Sequence, residues 1–340
     1  MKKKKLLFAF LLLLSAALGF IAYGALSGMG GSKECIVFVH RNSTPAEVSK
    51  QIDSIGNFPQ RTAFRILAQL TGYYSNMRPG RYDIGSGTPT VKSLRHLQTG
   101  QEQPLKLTIP TLRTVDDLAD FLGEHLEMPA DSFYKALTDS CLLAAYSLKR
   151  ETAICLFIPN TYEVYWTVTP RALMKRMERE SDAFWNSQRS SRLQHIAPGF
   201  SRNDALTLAS IVEQETQFVP ERPIVAGMYI NRLHRNMPLQ ADPTVKFALG
   251  DFSLRRILHK HLLCDSPYNT YRHAGLPPGP ICIPSVSSID AVLNHAEHNY
   301  IYMCAKEDFS GAHNFAADYS THMLNARKYA EALDHRGIRQ

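Results

Sequence analysis

The sequence predicts an α+β protein anchored in a membrane by its N-terminus, with a small α+β region followed by a larger, mixed α+β domain. Three observations lead there. An apolar run without a single charge, residues 6–26, follows the basic cluster MKKKK. Between residues 34 and 126, short β-type runs alternate with capped helical patterns. From Ser201 onward, amphipathic helical patterns alternate with loops rich in Pro, Gly, Asn and Tyr, such as MPLQADPT and DSPYNTYRHAGLPPGPICIP.

Composition bounds the answer. The 340 residues are 44% hydrophobic and 20% charged, which suits a globular chain of two or three domains. The formal charge is +7, but four of the positive charges are Lys2–Lys5. The remainder is mildly basic and carries no basic stripe interleaved with aromatics, which argues against a nucleic-acid binder. Six cysteines show neither CxxC pairing nor zinc spacing. They read as small buried hydrophobes, with disulfides left open.

The first elements follow from simple lengths. Roughly 20 apolar residues carry a helix across a ~30 Å hydrocarbon core. Residues 1–5 then stay in the cytoplasm, because lysines favour that side, and residues 6–26 form the anchor. Everything after Ser27 lies beyond the inner membrane. A cleaved signal peptide is the alternative, since small residues follow the apolar core; the uninterrupted length favours the anchor.

Residues 34–126 form an accessory region. After the Gly/Ser stretch GMGGS, CIVFVH reads as a strand. STPAEVSKQIDSIG reads as a helix capped by Ser43 or Thr44 with Pro45 at its first position. A second helix, PQRTAFRILAQL, precedes a turn and strand in MRPGRYDIG. TPTVKSLRHLQTG has a capping threonine, an apolar face of Val91, Leu94 and Leu97, and a closing glycine. LKLTIP is a strand and TVDDLADFLGEHL another capped helix. Residues 127–200 form a helical connecting region broken by FIPNTYEVYWTV, where Trp166, Tyr162 and Tyr165 either line a groove or pack a core. Residues 201–340 form the C-terminal domain, which includes the strand YIYMCAK and a final helix, YSTHMLNARKYAEAL.

The chemistry centres on SIVEQET, residues 210–216. On a helix capped by Ser201 or Asn203, Leu208, Ile211, Val212 and Glu215 share one side. Glu213 points nearly the opposite way, with Ala209 and Ser210. The two glutamates therefore cannot form one acid/base pair. Glu215 joins the apolar stripe at the negative end of the helix dipole, and both burial and dipole raise a carboxyl pKa. That suits a general acid. The competing reading pairs Glu215 with Arg222 or Arg232.

Other chemistries find little support. Thirteen histidines include HKH at 259–261 and HAEH at 295–298, but neither has HExxH spacing. No GxSxG or SxxK marks a serine nucleophile. GLPPGP cannot cradle phosphate, because its prolines lack N–H donors. No motif asks for a cofactor or a metal. His313 in GAHNF reads as an ordinary hairpin residue. SPYNTY offers an aromatic face, an amide and a hydroxyl close together, which suits a sugar and is also common in plain turns.

Taken together, LASIVEQET, ERPIVAGMYINRL, MPLQADPTV, YNTYRHAGLPPGPICIPSVSSIDA and YIYMCAKEDFSGAHNFAADYSTH resemble the endolytic murein transglycosylases of the MltG, or YceG-like, family. The resemblance spans roughly 205–325 and extends more loosely over 36–126, which resembles that family's LysM-like region. It implies a lyase that cuts the MurNAc–GlcNAc β-1,4 bond within peptidoglycan glycan strands and leaves 1,6-anhydroMurNAc ends. It implies Glu215 as the catalytic acid, then base. It implies that Gln240, Asp242, Tyr268, Asn269 and Thr270 line the glycan cleft, and that Gly275, Pro277 and Gly279 shape it. A reaction without water needs no second carboxylate, unlike most glycosidases. Cell-wall synthases, the penicillin-binding proteins, are the implied partners, and ending nascent strands the implied role. The stretch LRRILHKHLLCD departs from the family pattern, which often has an acidic residue near His261. Two rivals remain: a membrane-anchored glycan-binding protein without catalysis, and a peptidoglycan hydrolase using water.

Overall fold

The computed structural model describes residues 2–30, 35–84, 87–254 and 256–337. Met1, residues 31–34 closing the Gly/Ser stretch, Gly85 after the second strand and Arg255 of the divergent loop lie outside the described residues. In chain order the elements are α1 (Lys2–Leu26), β1 (Ile36–Val39), α2 (Pro45–Ile55), α3 (Phe58–Leu70), β2 (Gly80–Asp83), α4 (Thr90–Thr99), β3 (Leu105–Thr108), α5 (Val115–His125), α6 (Ala130–Thr138), α7 (Ser140–Ala144), β4 (Thr161–Val164), α8 (Pro170–Phe184), α9 (Ser187–Ile196), α10 (Arg202–Glu215), α11 (Arg222–His234), α12 (Asp242–Leu249), α13 (Val286–Leu293), β5 (Tyr302–Ala305), β6 (His313–Ala316) and α14 (Tyr319–His335). Among the described residues the strands form three two-stranded sheets, β1 with β2, β3 with β4 and β5 with β6. Helix and strand are mixed throughout.

Two compact units emerge from the packing. The first comprises Met1–Leu107, His125–Met128 and Tyr162–Val168. Its helix α1 is long and apolar enough to cross a membrane, with a mean hydropathy of 2.5 over its most apolar stretch. Near its end, Gly24 lies so close to α3 that a Cβ there would meet the Pro59 carbonyl oxygen at 2.2 Å. Antiparallel β1 and β2 pair Val37 with Tyr82 and Val39 with Gly80. Their inward residues Val37, Val39 and Tyr82 join Val48, Ile52, Phe64, Leu94 and Leu97 from α2, α3 and α4 in one core. Thr44 caps α2 in a reciprocal box with Glu47 and Pro45 follows it, as the sequence indicates.

Helix α4 departs from its expected face. Val91 is 44% exposed, while Thr90 and Ser93 are fully buried beside Leu94 and Leu97. Its cap is Pro89, which supplies no side-chain bond. The Thr90 N–H instead donates to the Ser27 carbonyl at 3.2 Å, so this helix start is satisfied by tertiary contact. Of the aromatic break, Tyr162 and Trp166 are buried and Tyr165 is exposed. Trp166 packs edge-on against Phe38 and His40, so it belongs to a core.

The second unit comprises Thr108–Glu124, Pro129–Thr161 and Thr169–Gln340. Its axis is α10, in which every residue from Ala205 to Val212 is buried. The expectation of a one-sided apolar stripe is therefore corrected. Neighbouring helices α9, α11, α12 and α13 surround α10, and its small residues Ala205, Ala209 and Ser210 allow them close. The hairpin β5–β6 carries α14 against it. Cys155 and Cys282 are buried as small hydrophobes, whereas Cys141 is exposed and does not fit that reading.

The GLPPGP turn is held by close approach. A Cβ on Gly279 would sit 2.0 Å from the Glu151 carbonyl oxygen, so only glycine fits without moving backbone. Gly279→Ala should lower stability by about 2 kcal/mol or more through overpacking, read as a drop in the chemical-denaturation midpoint.

Candidate active site

Ser201 starts α10 with a reciprocal cap: its hydroxyl accepts from Asp204 N at 3.1 Å, and Asp204 accepts from Ser201 N at 2.8 Å. The helix ends at Glu215. The two glutamates near that end meet opposite environments. Glu213 Oε2 accepts from Ser285 N at 3.2 Å, from Ser288 Oγ at 2.6 Å and from the Ser285 hydroxyl. Its Oε1 accepts from Arg222 Nη2 at 3.2 Å. Burial alone would raise the Glu213 pKa, but the hydroxyls of Ser285 and Ser288 and the charge of Arg222 outweigh it and hold the carboxyl below its ordinary range. Glu213 is a structural anchor, and it has the basic partner that was the competing reading for Glu215.

Glu215 has no such company. Its Oε2 is sealed from solvent with no hydrogen-bond partner among the described residues. Burial is the chief cause that pushes its pKa up to about 7, and the negative charge of Asp242 pushes the same way. The Tyr229 hydroxyl, Arg232 and Lys246 oppose the shift without cancelling it. With no donor on one oxygen and little water, the neutral acid is favoured.

Glu215 borders a cleft of 380 Å³ built from α10, α11, the start of α12, β5, His313 and α14. Gln240 and Asp242 line it as expected from the sequence. Gln240 has a left-handed backbone, φ 53°, which is costly for a residue other than glycine. It is held there by its N–H on the Thr270 carbonyl at 3.0 Å and by Arg232 Nη1 on its side chain at 3.1 Å. Asp242 opens α12 and accepts from the Tyr271 hydroxyl at 2.6 Å. A second carboxylate thus shares the cleft after all, though it comes from α12 and not from SIVEQET.

Tyr268, Asn269 and Thr270 do not line this cleft, which differs from the expectation. Asn269 is fully buried, and its amide nitrogen donates to the carbonyls of Leu262 and Cys264, both at 2.9 Å. Thr270 is 1% exposed, and its hydroxyl accepts from Ala241 N at 3.0 Å and bonds Thr244 at 2.8 Å. Both spend their polar atoms on holding the loop. Tyr268 packs against Phe247, ring centroids 4.7 Å apart, beside a separate cavity with Arg113 and Glu151. Of this loop's residues, Tyr271, the last in SPYNTY, reaches the cleft, beside Tyr229, Tyr302 and Tyr319 from other elements.

Four further residues receive no site role from the sequence, Arg232 reading only as a possible ion-pair partner and His313 as a hairpin residue. Tyr229 and Arg232 lie three apart on α11, a same-face spacing that would have signalled them. Arg232 is buried and donates to the carbonyls of Ile301 at 2.6 Å and Leu239 at 2.8 Å. Glu221, also buried, binds His313 of β6 at 2.8 Å. Nothing local in the sequence announces that link.

The sequence profile of the YceG-like family matches residues 37–328. The chain belongs to the YceG-like family. This agrees with the resemblance carried by the motifs. Two relatives named endolytic murein transglycosylase extend the comparison. The Streptococcus pneumoniae D39 protein is 26% identical over 307 residues, 80% of this chain and 54% of that protein. The Bacillus subtilis 168 protein is 37% identical over 136 residues, 40% of this chain and 37% of that protein. This YceG-like chain thus spans about half the length, or less, of the curated relatives it matches. A crystal structure of a YceG-like protein from Listeria monocytogenes superposes with a TM-score of 0.56 at 26% identity, covering 86% of this chain and 98% of that one.

The contrast between the glutamates has a measurable form. Folding raises the Glu215 pKa from its ordinary 4.5 to about 7, so between those values the folded chain holds a proton that the unfolded chain has released. Stability from this group is greatest below the unfolded value and is lost as pH rises through about 7. Glu215→Gln should remove that loss and be more stable than wild type at about pH 8, by on the order of 2 kcal/mol. Glu213→Ala should cost about 3 kcal/mol, because it strands Arg222 without a counter-charge. Denaturant titration at acid and alkaline pH checks both.

Proposed function

We propose that this YceG-like chain is an endolytic lytic transglycosylase of peptidoglycan. The single observation that carries the reading is the state of Glu215, a carboxyl at the edge of a cleft, raised to about 7 and lacking a donor on Oε2. A protonated Glu215 gives its proton to the GlcNAc O4 as the bond from MurNAc C1 to O4 breaks. The resulting carboxylate takes the proton of the MurNAc C6 hydroxyl as that oxygen bonds to C1. Glu215 ends protonated, the glycan ends in 1,6-anhydroMurNAc, and no water is consumed. A pKa near the working pH lets one carboxyl serve both steps. Gln240 and Asp242 are the glycan contacts of this cleft. Tyr271 takes the place proposed for Tyr268, Asn269 and Thr270, which support the loop behind it.

The names of the S. pneumoniae and B. subtilis relatives support the activity. The length and apolarity of α1 support an anchor in the cytoplasmic membrane, with the cleft on the outer side. The motif resemblance supports a LysM-like role for residues 34–126, a helical link over 127–200 and the transglycosylase domain over 201–340. It also supports cell-wall synthases as partners in ending nascent strands.

Asp242 favours one second reading. A carboxylate in the same cleft could activate water and make the enzyme a hydrolase. Its oxygen is already engaged by the Tyr271 hydroxyl, which favours binding over base catalysis.

Mass spectrometry of purified glycan strands separates the readings. Wild type should release anhydroMurNAc ends, and Glu215→Gln should lose about a thousandfold in rate. Reducing MurNAc ends would overturn the lyase reading in favour of hydrolysis. Because the protonated acid starts the reaction, the rate should fall as pH rises above about 7.

A further inference from the structure

Glu221 is a buried carboxylate, 5% exposed, that grips one residue twice. Its Oε1 accepts from the backbone N–H of His313 at 2.7 Å, and its Oε2 meets His313 Nδ1 at 2.8 Å. The Thr216 hydroxyl donates to the same Oε2 at 3.3 Å. Burying a carboxylate is costly, and closing a hairpin needs only the backbone bond. The second bond does something else: it fixes the plane and tautomer of an imidazole. With Nδ1–H donating to the carboxylate, a neutral ring carries its lone pair on Nε2.

That Nε2 has no hydrogen-bond partner among the described residues, although His313 borders the cleft beside Glu215. Thr216, which ties into the clamp, is the residue directly after Glu215. The oriented imidazole and the candidate acid are thus linked through two side-chain contacts and one peptide bond, and they border one space.

We infer that His313, oriented by Glu221, is a substrate-contacting residue whose Nε2 accepts a hydrogen bond from a hydroxyl or acetamido N–H of an amino sugar bound beside Glu215. The inference rests on the proposed saccharide substrate but not on the lyase chemistry. An imidazole fixed on its far side loses little freedom on binding, so the contact selects the orientation of the sugar.

Two substitutions separate this role from a structural one. His313→Asn keeps an amide nitrogen where Nδ1 sits, within reach of Glu221, and removes Nε2. His313→Gln keeps a polar atom where Nε2 sits and gives up the Glu221 bond. Both are made in the full chain carrying Glu215→Gln, and binding of peptide-free peptidoglycan glycan strands is measured by calorimetry beside the denaturation midpoint. The Asn variant should keep its midpoint and bind about tenfold more weakly, the worth of one hydrogen bond. The Gln variant should lose midpoint and keep affinity within about threefold. Affinity falling in step with stability in both variants, or an Asn variant that binds like its parent, overturns the inference. The crossed pattern alongside a wild type that makes no anhydro ends would uphold His313 as a glycan contact and overturn only the lyase reading.

Discussion

The ion pair between Glu213 and Arg222 is the contact on which the second unit depends. It joins α10 to the first turn of α11, and through Ser285 and Ser288 it reaches the start of α13. Arg222 is itself buried and also donates to the Ser285 and Ser287 hydroxyls at 3.0 and 2.7 Å. A buried pair contributes little net stability over a hydrocarbon pair, but losing one partner is severe. Its value here is geometric. It fixes the rotation of α10, and that rotation decides what surrounds Glu215 two residues on.

Once α10 is fixed, the protonation of Glu215 follows from competition. Desolvation and the Asp242 charge push one way, and Tyr229, Arg232 and Lys246 push the other. Arg232 spends Nε and Nη1 on the carbonyls of Ile301, Pro238 and Leu239, and it makes no ion pair with Glu215 among the described residues. The cation thereby props up the cleft wall and lends only its field to the acid. Had it made a bidentate pair with Glu215, the carboxyl would be ionised well below neutrality.

Much of this was legible along the chain, for local reasons. The cap on α2, the cap on α10 and the strand runs of β1, β2 and β5 are short-range patterns, and they fold where the patterns put them. The divergence of Glu213 and Glu215 is a matter of helical period. What helical period could not supply was the partner set, because both sides of α10 are covered. The misplacements share one cause. Asn269 and Thr270 are polar residues in a conspicuous motif, and a polar residue buried at 0% or 1% exposure serves the backbone around it. Val91 lost its core place because Ser27 captured the start of α4 from far away in sequence. Glu221 and His313 lie on opposite sides of a long interval, and only folding brings them together.

The cleft is assembled from the middle and the last part of the second unit. Glu215, Tyr229 and Arg232 come first, while Tyr302, His313, Tyr319 and His322 follow about seventy or more residues later. Synthesis proceeds from the N-terminus, so the acid emerges well before the wall that encloses it. Without Tyr302, His313, Tyr319 and His322, the cleft beside Glu215 lacks one wall. The cleft therefore exists only once the stretch from Glu215 to His322 has folded as one piece.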